Sequence, residues 1–433
     1  MKVAIINKSD SIGGAAVVSR RLCEALRNKG IDARMIVVEK LTDHDWVIPA
    51  AGAKRALIPF IRERLNIFIR NGFKRNTLFQ IDTASEGLPI YNLPFVKEAD
   101  VICLNWINQG MLSLKGIRRL LSTGKPIVWT MHDMWCMTGI CHHAGTCGRY
   151  KRNGECGDCP LLGNKKSPSD LSHKIFLRKL PVWKGVKIEA SKHSNLNRIH
   201  FVAVSNWLAK LAHSSTLLQD APLCTIPNAF PIDINTPLPI KEPNTKLDKK
   251  RIIFGAARLD DPVKGLPTLI SATQILNNQY PDIASDLELV TFGGLKDPDA
   301  LRDVAIAHTH LGKIPSTEVR KIYESGDIVV STSEWETLPG TLIEGQAWGC
   351  IPVALDHGGQ SDIIDHLRTG YLAPYSDNLH ENAASIAEGI IWASQAPESI
   401  RTDMYKSVCD RFSEEAVANK YLNLFYSLLK KSP

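Results

Sequence analysis

The feature that most constrains this chain is a repeated alternation. Short apolar, β-branched runs alternate with helical patterns along both halves. That is the mark of parallel α/β architecture, whose buried strands read as continuous apolar stretches. In the first half the runs are KVAIIN, ARMIVV, DVICLNW, PIVWTM and HFVAVS; in the second they are RIIFGA, LELVTFG, DIVVSTS and IPVALD. Between the halves, residues 227–250 (PNAFPIDINTPLPIKEPNTKLDKK) are rich in proline and polar residues and lack periodicity, as a linker would. A chain of 433 residues is too long for one core. The expectation is two Rossmann-like doubly wound domains, 1–226 and 251–412, facing a cleft, with ligands beyond the carboxyl ends of the strands. Residues 413–433 carry apolar side chains at helical spacing and end in lysines, which predicts a C-terminal helix packing back on the N-terminal domain.

Composition narrows the class. Hydrophobic residues at 44% and charged residues at 22% are ordinary for a globular protein. No run of about 18 apolar residues is present, so nothing reads as a membrane span. The start, MKVAIINKSD, is a short strand without a signal-peptide core, which places the expected location in the cytoplasm. A net charge of +7 is too modest and too spread out to argue for nucleic acid. One stretch is denser: Lys54–Arg75 holds seven Lys/Arg against one Glu, mixed with Leu57, Ile58, Phe60, Ile61, Leu65, Ile67, Phe68 and Ile69. Two readings compete. The stretch either lies on an anionic membrane surface, making the protein peripheral on the inner membrane, or turns its apolar side to the core and its charges to water.

Several stretches carry candidate chemistry. SEWETLPGTLIEGQAWG (Ser333–Gly349) sets Glu336 and Glu344 eight positions apart, after the strand-like DIVVSTS. Pro339 belongs in a first helical turn, so the helix starts there, with Glu336 in the loop before it and Glu344 about a turn and a half inside. The opening amides, at Gly340, Thr341 and Leu342, then favour phosphate or another polar ligand. Arg258 and Lys264 follow RIIFGA and suit a diphosphate, one by forked hydrogen bonds and one as a point charge. Gly13 and Gly14 permit a tight turn before the first helix, but they do not make the G-x-G-x-x-G dinucleotide pattern. His132 and Asp133 end the strand-like PIVWTM. A D-x-D triplet, Asp297-Pro298-Asp299, reads as a plain turn rather than a metal site.

These residues together resemble the family 4 retaining glycosyltransferases, which have the two-domain GT-B fold. WETLPGTLIEG fits that family's E-x7-E signature, and VAVSNWL, IPNAF, LGKIPSTE and HGGQSD are similar to further family segments. The resemblance implies that Glu344 holds the ribose hydroxyls of a nucleotide and that Glu336 meets the donor sugar. It implies that Arg258 and Lys264 neutralise the donor pyrophosphate, that Gly13 and Gly14 form the N-domain glycine loop, and that His132 lies near the donor sugar. Gly340 and Thr341 lie in the intervening loop, where the sequence departs from the usual E-x-F-G-L and Pro339 removes one amide. Retention of configuration is implied. So are a nucleotide-sugar donor (UDP-sugar favoured, GDP-sugar as the alternative) and a glycan or polyprenyl-linked acceptor of surface polysaccharide synthesis. No catalytic metal is expected, because cations and helix amides serve the departing diphosphate.

A cysteine-rich insertion spans 136–162. Cys141, Cys147, Cys156 and Cys159 have five, eight and two intervening residues between them, a pattern open to tetrahedral zinc, to reduced packed thiols or to disulfides. His142 and His143 are available to replace one thiolate. Two other functions stay in view: a nucleotide-sugar epimerase on the same fold, which E-x7-E disfavours, and a zinc-containing nucleic-acid binder using Arg149, Tyr150, Lys151 and Arg152.

Overall fold

The computed structural model describes residues 1–151, 153–187, 196–232, 234 and 249–430. Most of the expected linker (235–248) and Arg152 lie outside the described residues. By internal contacts the chain divides into two compact units, Met1–Ala229 with Val417–Pro433, and Phe230–Ala416.

The first unit is built on β1 (Lys2–Ile6), β2 (Asp32–Val37), β3 (Val47–Pro49), β4 (Val101–Leu104), β5 (Ile127–Met131), β6 (Ile199–Ala203) and β7 (Leu223–Thr225). They form one parallel sheet in the order β3-β2-β1-β4-β5-β6-β7. Val3, Ile5, Val101, Cys103 and Val128 share a core with Leu22 and Leu26 of α1 (Gly14–Asn28). Helix coverage of this kind is why such strands carry no polar face.

A second helix, α2 (Ala53–Arg70), inverts the usual arrangement. Glu63 is fully buried and Arg64 nearly so, while Leu57, Ile58, Ile61, Leu65 and Ile69 are each about half exposed. The apolar stripe therefore faces solvent beside Lys54, Arg55, Arg62 and Arg70, also exposed. Charges in water over an apolar inner face is not what this helix does.

The second unit repeats the plan with β8 (Lys250–Arg258), β9 (Leu287–Gly294), β10 (Ala307–His310), β11 (Ile328–Ser331), β12 (Ile351–Leu355) and β13 (Tyr371–Ala373). All pair in parallel in the order β10-β9-β8-β11-β12-β13. Leu269 and Leu276 of α4 (Leu266–Gln279) and Ile386 and Ile390 of α6 (Leu379–Gln395) join Ile252, Leu289, Ile328 and Val353 in its core. Between these lie α3 (Leu171–Trp183) in the first unit and α5 (Gly340–Ala347) in the second.

The last helix, α7 (Glu414–Leu429), crosses back. Val417, Ala418, Tyr421, Phe425 and Leu428 recur at three- and four-residue steps and are buried in the first unit's core. The Tyr421 hydroxyl lies 2.8 Å from the Thr130 hydroxyl of β5. The expected C-terminal helix thus packs on the N-terminal domain.

Candidate functional site

In each sheet the strand order reverses beside the first strand, between β1 and β4 in one and between β8 and β11 in the other. Crevices outside the carboxyl ends of strands at such a reversal are where open α/β sheets take ligands.

In the second unit that point is held by two crossing loops. Arg258 ends β8, its Nε 3.5 Å from Asp260 and its terminal nitrogen 2.8 Å from Asp261. Lys264 follows in a short turn, and its ammonium pairs with the Glu336 carboxylate. The backbone between them is tight. Gly265 has φ 66°, and a Cβ there would stand 2.0 Å from the Thr332 carbonyl oxygen; the Thr332 hydroxyl donates to the carbonyls of Lys264 and Gly265 at 2.9 Å. Glycine alone allows this crossing. Glu336 is pinned from its other side, where Gly359 N–H donates to its carbonyl at 2.8 Å.

Helix α5 begins at Gly340 with Pro339 before it and no side chain capping it. Glu336 accordingly sits in the loop and Glu344 in the second turn, both partly exposed. One expected amide is engaged locally: Leu342 N–H donates to the Pro339 carbonyl at 3.2 Å, so Gly340 and Thr341 form the open start. Gly345 turns its bare side to Val329 of β11, which seats the helix on the sheet. Asp297 accepts from Asp299 N–H at 3.0 Å, so the D-x-D triplet is a turn, as read.

Beside Glu336 lies a group not anticipated from sequence. His357 stacks on Tyr375 with ring centroids 3.7 Å apart and meets Trp335 edge-on at 5.4 Å. These rings come from three separate loops. Only the HGGQSD stretch carried a hint.

In the first unit Gly13 has φ 87° and precedes α1. A Cβ at Gly13 or Gly14 would meet nothing within 4 Å, so the loop is open to approach. His132 follows β5 and donates from Nε2 to Asn105 Oδ1, at the end of β4, over 2.9 Å. Burial lowers its pKa to about 4 although Asp133 pulls the other way, so the ring is neutral at pH 7. Asp133 accepts from Trp106 Nε1 at 3.0 Å and from His142 Nδ1 at 2.6 Å. Against the cost of burial, Asp133 and Asp82 raise His142 to about 9, and His142 in turn holds Asp133 down to about 2. Arg64 reaches Asp82 at 2.9 Å, while Gly110 N–H donates to Glu63 at 2.7 Å. Burial, with Asp82 adjacent, pushes the Glu63 carboxyl up. His142 is thus bound into a buried charge network and does not stand in for a cysteine.

A cavity of about 220 Å³ lies beside the ends of β1 and β2, lined by Lys8, Val38, Glu39, Ala53, Ala56, Leu57 and Phe60. Leu57 also belongs to the exposed stripe of α2. Among the described residues no three His, Cys, Asp or Glu side chains converge closely enough to hold a metal ion. No helix among them is long and apolar enough to cross a membrane.

Two parallel sheets of this order define a two-domain GT-B architecture, and comparison with known proteins agrees. Over its whole length the chain superposes on sucrose-phosphate synthase from Thermosynechococcus elongatus with a TM-score of 0.65 at 16% identity, covering 100% of both chains. It superposes on Anabaena Alr3699/HepE in complex with UDP and glucose with a TM-score of 0.56 at 14% identity, covering 99% of this chain and 100% of that one. At such identities the likeness concerns fold alone. Residues 239–408, the segment that holds the crossing loops and α5, match the family described as Glycosyl transferases group 1. The amylovoran biosynthesis glycosyltransferase AmsK of Erwinia amylovora is 31% identical over 137 residues, 29% of this chain and 32% of that protein. The chain spans about a third of the length of the curated relatives it matches.

Proposed function

We propose that the chain is a retaining glycosyltransferase. It moves a sugar from a nucleoside-diphosphate donor, a UDP-sugar before a GDP-sugar, to a hydroxyl of a glycan or polyprenyl-linked acceptor in surface polysaccharide synthesis. The observation that carries the reading is the gathering of Arg258, the Lys264–Glu336 pair and the uncapped start of α5 at the strand reversal of the second sheet. The family match over this segment, the role of AmsK in amylovoran biosynthesis and the UDP bound by HepE support it.

Each residue then has work suited to its chemistry. Arg258, itself partly exposed, exchanges its two aspartate partners for the forked bonds of a diphosphate. Lys264 adds a second cation that Glu336 holds in place, and Glu336 keeps an oxygen for a sugar hydroxyl. The Gly340 and Thr341 amides favour negative charge at the helix start. Glu344 takes the ribose hydroxyls. The acceptor oxygen attacks the anomeric carbon on the face the diphosphate leaves. The carbon–oxygen bond to the diphosphate breaks, its electron pair departs with the diphosphate, and the acceptor proton passes to the leaving oxygen. Negative charge grows where the cations stand, so their interaction strengthens toward the transition state. His132, neutral, serves as a hydrogen-bonding partner for the transferred sugar.

On the acceptor side, the exposed stripe of α2 with its flanking Lys and Arg supports docking on an anionic lipid surface, and a cavity beside it is lined by Leu57 and Phe60 together with the Lys8–Glu39 pair. The test is transfer from UDP- and GDP-sugars to a polyprenyl-diphosphate saccharide, with the new anomeric centre read by NMR. Retained configuration is expected; an inverted product, or no transfer from any donor, contradicts the proposal.

A further inference from the structure

The cysteine segment takes no part in that chemistry, yet four of its side chains border one cavity. Cys141, Cys147, Cys156 and Cys159 line one small cavity of about 20 Å³, beside Gly139, Ile140 and Tyr150. That is room for one water or one ion. None of the four is in a disulfide.

The backbone is bent to present the sulfurs. Cys156, Gly157 and Asp158 take φ values of 46°, 138° and 43°. Two non-glycine departures on either side of a glycine persist only where the surroundings impose them. The bend brings amides to sulfur: Gly139 N–H donates to Cys156 Sγ at 3.2 Å, and the Leu161 amide donates to Cys159. N–H groups aimed at sulfur are the outer contacts that steady thiolate ligands.

A second observation is independent of the cysteines' own geometry. Lys179 of α3 is fully buried. Its ammonium donates to the carbonyls of Trp135 at 2.6 Å and Thr138 at 2.9 Å and lies 3.3 Å from the centre of the Trp135 ring. It forms no ion pair among the described residues, and burial lowers its pKa to about 7. A buried cation without a counter-charge is costly. Four thiolates around a divalent ion carry a net charge of minus two, which supplies one.

We propose that Cys141, Cys147, Cys156 and Cys159 hold a structural zinc ion, with Lys179 balancing the charge of its thiolate shell. Soft thiolates in a tetrahedral set select zinc over the hard cations. The four thiols ring the cavity without standing at ligating distance, so binding draws them inward. The consequence reaches the first unit's site. Asp82 N–H donates to the Ile140 carbonyl at 2.8 Å, and Met134 N–H to the His142 carbonyl at 2.8 Å. The ion would thereby fasten the segment that holds His142 between Asp82 and Asp133, next to His132.

Elemental analysis of the full chain, produced with zinc supplied, tests this. About one zinc per chain is expected, falling at least tenfold in Cys156→Ser/Cys159→Ser. Since those variants can fail to fold, wild-type chain is alkylated before and after chelation and mapped by mass spectrometry. Cys141, Cys147, Cys156 and Cys159 should gain label together on zinc removal, while Cys23 and Cys103 stay unlabelled. Absence of zinc from zinc-supplied protein, iron in its place, disulfide-linked peptides from this segment, or equal labelling with and without chelator would each overturn the proposal.

Discussion

The charges at the two strand reversals work in opposite ways, and single substitutions separate them. Arg258 and Lys264 are partly exposed, and in the proposed function they serve a ligand rather than the fold. Arg258→Ala or Lys264→Ala should lower kcat/KM for the sugar donor by about 10²–10³-fold, the usual loss for one donor to a developing anion, with thermal stability changed by less than about 0.5 kcal/mol. Steady-state kinetics and melting curves check both halves of that statement. His142 is the reverse case. Its raised pKa of about 9 means that the fold favours the protonated ring. The contribution is therefore complete below its ordinary value of about 6.5 and lost as pH climbs through about 9. His142→Asn should be less stable than wild type by on the order of 3 kcal/mol near pH 6, and the gap should close by about pH 10. Melting temperatures across that range decide it; a gap independent of pH would show that the buried network does not hold the imidazolium.

At the scale of elements, α2 is the segment whose surface chemistry has no use within its own unit. Ile61→Asp with Leu65→Asp should leave the melting temperature within about two degrees of wild type, because both side chains are half exposed. Co-sedimentation with anionic vesicles at low salt should fall several-fold. Undiminished sedimentation would remove the stripe from membrane docking. The elements also show what the sequence made legible. The nine buried strands announced themselves because strands covered on both faces are apolar throughout. The β3, β7, β10 and β13 strands did not. They are three or four residues long at or near sheet margins, and β10, Ala307-His308-Thr309-His310, is exposed along its length. Arg258, Lys264, Glu336 and Glu344 were legible because strand end, loop and helix start follow closely in sequence. The network of Glu63, Arg64, Asp82, Asp133 and His142 was not, because a charged pair in a basic helix gives no local sign that it will be buried. Tertiary packing alone decides that. The Trp335–His357–Tyr375 stack was hidden for the same reason.

For the molecule as a whole, two repeats of one sheet order are tied by a helix that begins in one unit and packs in the other. Phe425 is fully buried in the first unit's core although it lies near the end of the chain. Phe425→Ala should cost about 3–5 kcal/mol, as truncation of a buried aromatic does, and should lower the melting transition of the first unit in particular. Donor affinity should be retained, because Arg258, Lys264 and Glu344, the residues proposed to hold the nucleoside diphosphate, belong to the second unit. The most direct test of that central claim is calorimetric titration of UDP and GDP into the full chain, into Arg258→Ala and into Glu344→Ala. Saturable binding of one diphosphate, weakened at least tenfold by either substitution, is the predicted result. Binding that is unchanged in both variants, or no binding of either nucleotide by wild type, would contradict it.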